Sequence, residues 1–281
     1  MGKDSKIEWT DHTFNPWWGC VKISPACRNC YAETWAKRTG HQLWGAAAPR
    51  RYFGESHWNE PVIWNRVAEE RGQRKKVFCS SMADVFESNP TLDQTREKLW
   101  DLIDRTTCLD WLLLTKRPEN IQTLCRWGKS QVWPANVWLG ATVESQEWAE
   151  QRLPHLLQHQ SAIRFLSCEP LIGALDLSHW MGKGLRPIDW IIVGGESGPH
   201  SRPLDPAWAV GLRDFCQARR IPFLFKQWGH WAPEETPHNL VRRPKTASIR
   251  NGTQVTKMIA LGKSRAGKLL DGLQHDGVPV R

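Results

Sequence analysis

The sequence predicts an α/β fold: an incomplete (β/α) barrel of six or seven parallel strands with a basic C-terminal extension. Three observations predict it. Short, almost wholly apolar runs recur between residues 76 and 226, most of them separated by stretches of helical periodicity. Strands apolar on both faces that alternate with helices belong to a parallel sheet covered by helices. Nearly every run ends in a small residue followed by a charged or polar one, and the rhythm stops after Trp231.

The elements follow in order. A first strand is expected within residues 7–14. In "CYAETWAKRTG", Ala32, Trp35 and Ala36 repeat at helical spacing and Gly40 offers a stop, so a short helix is expected. Residues 41–75, rich in Trp, Arg and Gly, read as irregular. Strands are then expected at 76–80 (KVFCS), 110–115 (DWLLLT), 137–142 (VWLGAT), 163–168 (IRFLSC), 189–194 (DWIIVG) and 222–226 (PFLFK). Helices are expected in "LDQTREKLWDLIDRTT", "QEWAEQRLPHLLQH" and "DPAWAVGLRDFCQARR". Six or seven βα units fall short of the eight that close a full barrel, which makes the barrel incomplete or split, with a doubly wound open sheet as the alternative. Residues 1–231 form the barrel in this reading. Residues 232–281 are an extension packed on it, with a strand near 255–260 and a short helix in "AGKLLDG".

Composition narrows the function classes. The formal net charge is +9, and residues 241–281 hold nine Lys or Arg against two Asp. A basic tail of this kind suits a polyanion, nucleic acid first, although a merely solvated surface would look the same. Eighteen tryptophans are far more than usual. Trp17, Trp18, Trp44, Trp58, Trp228 and Trp231 fall at strand ends or in loops, where they could stack on a flat ligand rather than fill the core. The polar start "MGKDSKIEWTD" has no signal core and no run is long enough to cross a membrane, so a cytoplasmic protein is expected. In that reducing setting cysteines serve as metal ligands or free thiols.

The strand ends form a second pattern. The runs lead into Ser80-Ser81-Met82-Ala83-Asp84, Thr115-Lys116-Arg117-Pro118, Thr142-Val143-Glu144, Ser167-Cys168-Glu169-Pro170, Gly194-Gly195-Glu196-Ser197 and Lys226-Gln227-Trp228. In α/β barrels the carboxyl ends of the strands build the active site.

Cysteine spacing is the sharpest feature. Cys20, Cys27 and Cys30 make C-x6-C-x2-C, with Tyr31 directly after the last thiol. A structural zinc site needs four ligands; His12 and His41 are the nearest fourth candidates, and no second C-x2-C exists. A redox dithiol would use Cys27 and Cys30 and leave Cys20 unexplained. An iron–sulfur cubane on three thiolates leaves one iron open for a cofactor or substrate, which accounts for the odd number. Cys79, Cys108, Cys125 and Cys216 lack metal spacing and read as packing residues. Cys168 lies at a strand end, where it is either a catalytic hydrogen donor or thiol, or a small buried residue.

Three cysteines ahead of a partial barrel resemble the radical S-adenosylmethionine superfamily. The segments "IEWTDHTFNPWWGCVKISPACRNCYAE", "FLSCEPLIG", "WIIVGGESGPHSRP" and "PFLFKQWG" are similar to a phage-associated bacterial family with this atypical C-x6-C-x2-C-Y cluster motif. The resemblance implies a [4Fe-4S] cluster on Cys20, Cys27 and Cys30, S-adenosyl-L-methionine as cofactor, a 5′-deoxyadenosyl radical, and a reductant protein as electron donor. It implies that Tyr31 packs against the adenine, and that Ser80, Ser81 and Asp84 are candidates for the cofactor's amino group. Thr142, Glu144, Ser167 and Glu169 would suit ribose hydroxyls or substrate; Lys116, Arg117 and Lys226 would suit an anionic group. Two departures stand out. The usual cluster motif has three residues between its first two cysteines where this chain has six, and the Gly-Gly-Glu element expected after the second strand is found late, as Gly194-Gly195-Glu196. The late glycines are therefore read as letting backbone approach cofactor or substrate.

The substrate expected from the basic tail, the tryptophan-rich loops and the phage association is a nucleic acid or nucleotide. The alternatives are a radical enzyme acting on a small nucleoside or base, and a noncatalytic iron–sulfur or zinc nucleic-acid-binding protein. The ring of polar strand ends argues against the latter, since a binding module needs no such cavity.

Overall fold

The structure, a computed structural model, describes residues 2–130, 132–181, 188–237 and 244–280. Of the basic tail, Arg242, Arg243 and Arg281 lie outside the described residues. The expected fold class is the one observed. Seven strands form one parallel sheet: β1 (His12–Thr13), β2 (Lys75–Cys79), β3 (Leu109–Thr115), β4 (Val137–Thr142), β5 (Ile163–Cys168), β6 (Trp190–Gly194) and β7 (Phe223–Gln227). Each strand lies beside its predecessor in the chain, without the order reversal of a doubly wound sheet. The helices of eight or more residues are α1 (Tyr31–Arg38), α2 (Glu55–Glu70), α3 (Asp93–Arg105), α4 (Gln146–Leu156) and α5 (Pro206–Arg219); four-residue helices lie at Ile121–Leu124 and Lys263–Ala266.

The chain divides into two compact units. Met1–Ser24, Ala32–Ala141 and Gln151–Phe165 make the first; Pro25–Tyr31, Thr142–Glu150 and Leu166–Arg281 make the second. The C-terminal extension thus belongs to a larger unit, and this division differs from the boundary expected at residue 231.

In the first unit β1 pairs with β2 through His12↔Val77 and Thr13↔Phe78, and β2 with β3 through Val77↔Trp111 and Cys79↔Leu113. Trp100, Trp111 and Trp138 are fully or almost fully buried around these strands. The stretch expected to be irregular contains α2. Its interior Pro61 removes a helical hydrogen bond at a cost of about 3 kcal/mol. The buried residues Trp58, Pro61, Trp64 and Ala68 nevertheless lie on one face. Burying a tryptophan removes about 150–250 Å² from water, worth roughly 4–6 kcal/mol, so two of them outweigh the proline.

In the second unit β6 pairs with β7, with a register shift between Val193 and Gly194. Helix α5 starts where the Asp205 carboxylate accepts from Ala207 N at 3.0 Å and Pro206 takes the first position. The extension adds a three-stranded antiparallel sheet, ordered β8 (Trp231–Pro233), β10 (Gln254–Ala260), β9 (Thr246–Asn251). The short helix expected in "AGKLLDG" lies just upstream, Lys263–Ala266, and the segment itself turns into a hairpin of β11 (Leu269–Leu270) and β12 (Leu273–Gln274). Asp271 and Gly272, with φ of 52° and 76°, supply the two left-handed residues of a tight hairpin turn. The chain then runs antiparallel along β7: Phe225 N donates to His275 O at 2.9 Å and Gly277 N to Phe223 O at 3.0 Å. The tail thereby occupies backbone groups that an open edge strand would expose.

Candidate functional site

In the first unit the site is built on the ends of β1, β2 and β3. Just beyond β1, Asn15 Oδ1 accepts from Met82 N at 2.7 Å, and Asn15 Nδ2 donates to Ser81 Oγ at 3.1 Å. Gly19 N donates to Met82 O at 3.0 Å, which lays the segment carrying Cys20 on the end of β2. Gly19 has φ +113°, and a Cβ there would stand 2.6 Å from Leu43 O, so only glycine fits the crossing.

Asp84 joins these strand ends. Its buried carboxylate accepts from Phe86 N (3.0 Å), Thr115 Oγ1 (2.7 Å), Lys116 N (3.0 Å) and Arg117 Nη1 (3.0 Å). Arg117, equally buried, donates to Val21 O at 2.7 Å and lies 3.7 Å from Cys20 Sγ. Burial pushes the Cys20 thiol up to about 12, while the Arg117 charge pulls it down. Burial opposes the Arg117 charge, but Asp84 and Cys20 hold it protonated, above its ordinary value.

In the second unit the site is a clamp around Cys27 and Cys30. Cys27 closes a single 3-10 turn, Pro25–Cys27, and Cys30 directly precedes α1. Between them, Asn29 Nδ2 donates to Glu196 Oε2 at 2.9 Å and to His200 O at 2.8 Å. Arg202 completes the clamp. Its backbone N (2.8 Å), Nε (3.0 Å) and Nη2 (2.5 Å) all donate to the Glu196 carboxylate, and Nη2 also donates to Pro25 O at 2.9 Å. Burial raises the Glu196 carboxyl, but Arg202 and Asn29 outweigh it and hold it below its ordinary value. Backbone bonds lace the strand ends behind this clamp: Val143 N to Ser167 O (3.0 Å), Ile172 N to Glu144 O (2.8 Å), Leu171 N to Gly194 O (3.0 Å) and His230 N to Glu196 O (2.9 Å).

Residues 4–279 match the family model described as "Protein of unknown function (DUF5131)". The chain belongs to this family. No curated protein is significantly similar to it in sequence. Solved structures with a similar fold include three mutants of spore photoproduct lyase. One is 10% identical with a TM-score of 0.47, and the others are 12% and 11% identical with TM-scores of 0.45; each alignment covers 92% of this chain and 71% of the other.

The residues singled out from the sequence of this family member fall into three groups. Most of the charged ones are already engaged: Asp84 with Arg117, Glu196 with Arg202, and Lys226 with Glu169 at 2.6 Å. Asp84 has a donor on every side, and Arg117 is a partner of Asp84 and Cys20 rather than an open anion-binding side chain. The glycines serve protein packing. A Cβ on Gly195 would stand 1.9 Å from Trp228 O, so the absent side chain admits the loop after β7. A Cβ on Gly194 would meet the Glu169 side chain at 3.3 Å. A third group is buried or exposed in ways the sequence did not indicate. Cys168 is fully buried, and burial pushes its thiol up, which removes it from solvent chemistry. Trp17, Trp58 and Trp228 are buried core residues, whereas Trp18, Trp44 and Trp231 keep part of their surface. Tyr31 is 57% exposed.

Of the remainder, Ser81 and Thr142, Glu144 and Ser167 are buried at strand ends and Lys116 is half-buried. Ser80 is also buried, and its Oγ has no hydrogen-bond partner among the described residues. Sequence reasoning missed Asn15, Asn29 and Arg202. Each had a faint signal: a short polar residue beside the motif, inside it, or closing the "GGESGPHSR" loop.

None of the eight cysteines is in a disulfide. Cys20, Cys27 and Cys30 are half-buried, as is Cys108, expected to be a packing residue, whereas Cys79, Cys125, Cys168 and Cys216 are closed off. Among the described residues no group of three or more His, Cys, Asp or Glu side chains is arranged to hold a metal ion. His12 and His41 are each engaged elsewhere: His12 Nδ1 accepts from Asp4 N at 3.3 Å, and His41 Nε2 lies 2.9 Å from Arg51 Nη1. The donor set itself, three cysteines on fastened loops, fits a soft metal centre better than a hard oxygen-loving one. No helix among the described residues is long and apolar enough to cross a membrane.

Proposed function

We propose that the chain is a radical S-adenosylmethionine enzyme acting on a nucleic acid or nucleotide-type substrate, with Cys20, Cys27 and Cys30 as ligands of a [4Fe-4S] cluster. The observation that carries this reading is the treatment of the three thiols. They are half-buried, and the loops that bear them are fastened to strand ends by charged side chains, the buried Arg117–Asp84 pair for Cys20 and half-buried Arg202 on buried Glu196 for the Cys27–Cys30 loop. A mere packing cysteine needs no such frame. Such a cluster supplies one electron at low potential for reductive cleavage of the cofactor's sulfonium bond.

This chain's own contribution is position and exclusion of water. Arg117 presents a positive charge to Cys20 and so opposes part of the effect of burial on that thiol. Asn29 and Arg202 hold the peptide on which Cys27 and Cys30 are carried. Ser80 Oγ, buried and without a partner among the described residues, is a hydroxyl available to the polar end of a cofactor. A reductant protein is required as electron donor.

The test is anaerobic reconstitution with iron and sulfide, followed by metal analysis, electron paramagnetic resonance, and assay of 5′-deoxyadenosine after adding S-adenosylmethionine and dithionite, with and without oligonucleotide. About four irons per chain and 5′-deoxyadenosine are expected. Bound zinc with no iron would overturn the reading.

A further inference from the structure

The first unit carries a stacked aromatic–cation group that the cluster reading leaves unused. Trp18 and Arg51 face each other across a short antiparallel pair, Trp17–Trp18 with Arg51–Tyr52. The Arg51 guanidinium lies 4.6 Å from the Trp18 ring centroid and 5.3 Å from that of Phe53. Trp18 also meets His41 edge-on at 6.0 Å, and Phe53 lies 4.5 Å from His57. Trp18, His41, Arg51 and Phe53 are all half-exposed.

Charge makes this group unusual. Residues 17–24 and 32–53 hold five Lys or Arg against one Glu. Lys22 and Lys37 share that Glu33, at 2.5 and 2.7 Å, and Arg50 pairs with Glu87. Arg38 and Arg51 have no carboxylate partner among the described residues. Within the protein, Arg51 therefore has aromatic faces and an imidazole for company, but no anion. A guanidinium preorganised by stacking, with its charge uncompensated beside an accessible indole, offers two things together: a flat surface and a positive charge. An unpaired base on a phosphate backbone needs both.

We propose that Trp18, His41, Arg51 and Phe53 form a binding surface for single-stranded nucleic acid, with a base stacking on Trp18 and the adjacent phosphate meeting Arg51. The proposal rests on the nucleic-acid part of the reading above and names its contact surface. It is independent of the cluster, since none of the four is a metal ligand and binding can be measured on metal-free protein. Trp18 lies two residues before Cys20 in the chain, so strand binding and cluster chemistry would draw on the same segment.

The test uses the full chain and fluorescence anisotropy with a labelled oligothymidylate of about 20 nucleotides at low salt, about 50 mM. Binding is expected to weaken with salt. Trp18→Leu should weaken it about 5- to 150-fold, the range seen when a stacking aromatic is removed. Arg51→Gln should also weaken it and lower the salt slope by about one counterion. Arg126→Gln, whose arginine serves an acidic cluster of Glu97, Asp101 and Asp104, should leave it unchanged. Because Trp18→Leu could unfold the unit, an iodouracil-bearing strand is also photo-crosslinked to the unaltered protein. Adducts are expected on the tryptic peptides spanning residues 7–22 or 52–66. No binding at low salt, a preference for duplex, unchanged affinity in both surface variants, or adducts confined to the C-terminal basic segment would each overturn the proposal. Iron content and 5′-deoxyadenosine, assayed separately, report on the cluster reading, so the two can fail independently.

Discussion

Replacing Glu196 tests whether its clamp holds the cysteine loop. Its carboxylate accepts four hydrogen bonds, three from Arg202 and one from Asn29, and the residue is only 5% exposed. Glu196→Ala would leave the Arg202 charge and the Asn29 amide without their acceptor. Losing one partner of a buried ion pair costs about 3–5 kcal/mol. The Arg202 side chain keeps 27% of its surface, so water compensates part of this and about 2–3 kcal/mol is expected. Glu196→Gln should cost less, because an amide oxygen still accepts from Asn29 or Arg202.

The sign of the pH effect is fixed by the same contacts. The folded carboxyl lies below its ordinary 4.5, so the unfolded chain binds more protons as pH falls. The clamp's contribution is therefore complete above pH 4.5 and is lost as pH drops through the lowered folded value; Glu196→Gln should remove that dependence. The assay is denaturant unfolding of metal-free protein across pH, with hydrogen exchange on the peptide spanning Pro25–Tyr31. Faster exchange there is expected in Glu196→Ala. A stability change below about 0.5 kcal/mol together with unaltered exchange would refute the clamp.

Three further outcomes follow from the same frame. Arg117→Met should cost about 3–5 kcal/mol, because it strands the Asp84 carboxylate in a site where both side chains are 7% exposed; unfolding measurements showing under 1 kcal/mol would sink that account. Alanine at Cys20, Cys27 or Cys30 should each abolish retained iron after reconstitution, whereas alanine at Cys168 or Cys216 should keep it, as read by iron and sulfide analysis. Gly195→Ala should destabilise by about 2 kcal/mol or more, since its Cβ would overlap Trp228 O at 1.9 Å, whereas Gly194→Ala should be milder because it meets a side chain that can move; comparable unfolding midpoints would contradict the packing role.

The parallel sheet was legible because its strands are apolar on both faces, a pattern that survives without knowledge of neighbours. Helix α2 was not legible, because Pro61 is a local helix breaker and the compensation comes from tertiary burial of Trp58 and Trp64. The β11–β12 hairpin was misread as helix because leucines carry helical propensity, whereas the Asp271-Gly272 dipeptide was the stronger signal. At the site, residue type and strand-end position were readable from sequence, but partnership was not. Nothing in "TKRP" shows that Arg117 turns toward Asp84, or in "GGES" that Glu196 reaches Asn29 between the cysteines.

That difference changes what the charged strand ends are for. Read as a list, they were candidate contacts for cofactor and substrate. In each unit most of them are spent on one another, and the product of that spending is a fixed loop: the one bearing Cys20 through Arg117, and the one bearing Cys27 and Cys30 through Arg202 and Asn29. A site whose reactivity resides in a bound cluster needs thiols held in place more than it needs its own acids and bases, because positioning is the part of the chemistry that the protein supplies. An enzyme relying on side-chain acid–base catalysis would instead leave a carboxylate or amine uncommitted. Asp84, Glu196, Glu169 and Lys226 are all committed to partners, which argues against acid–base catalysis by these four residues.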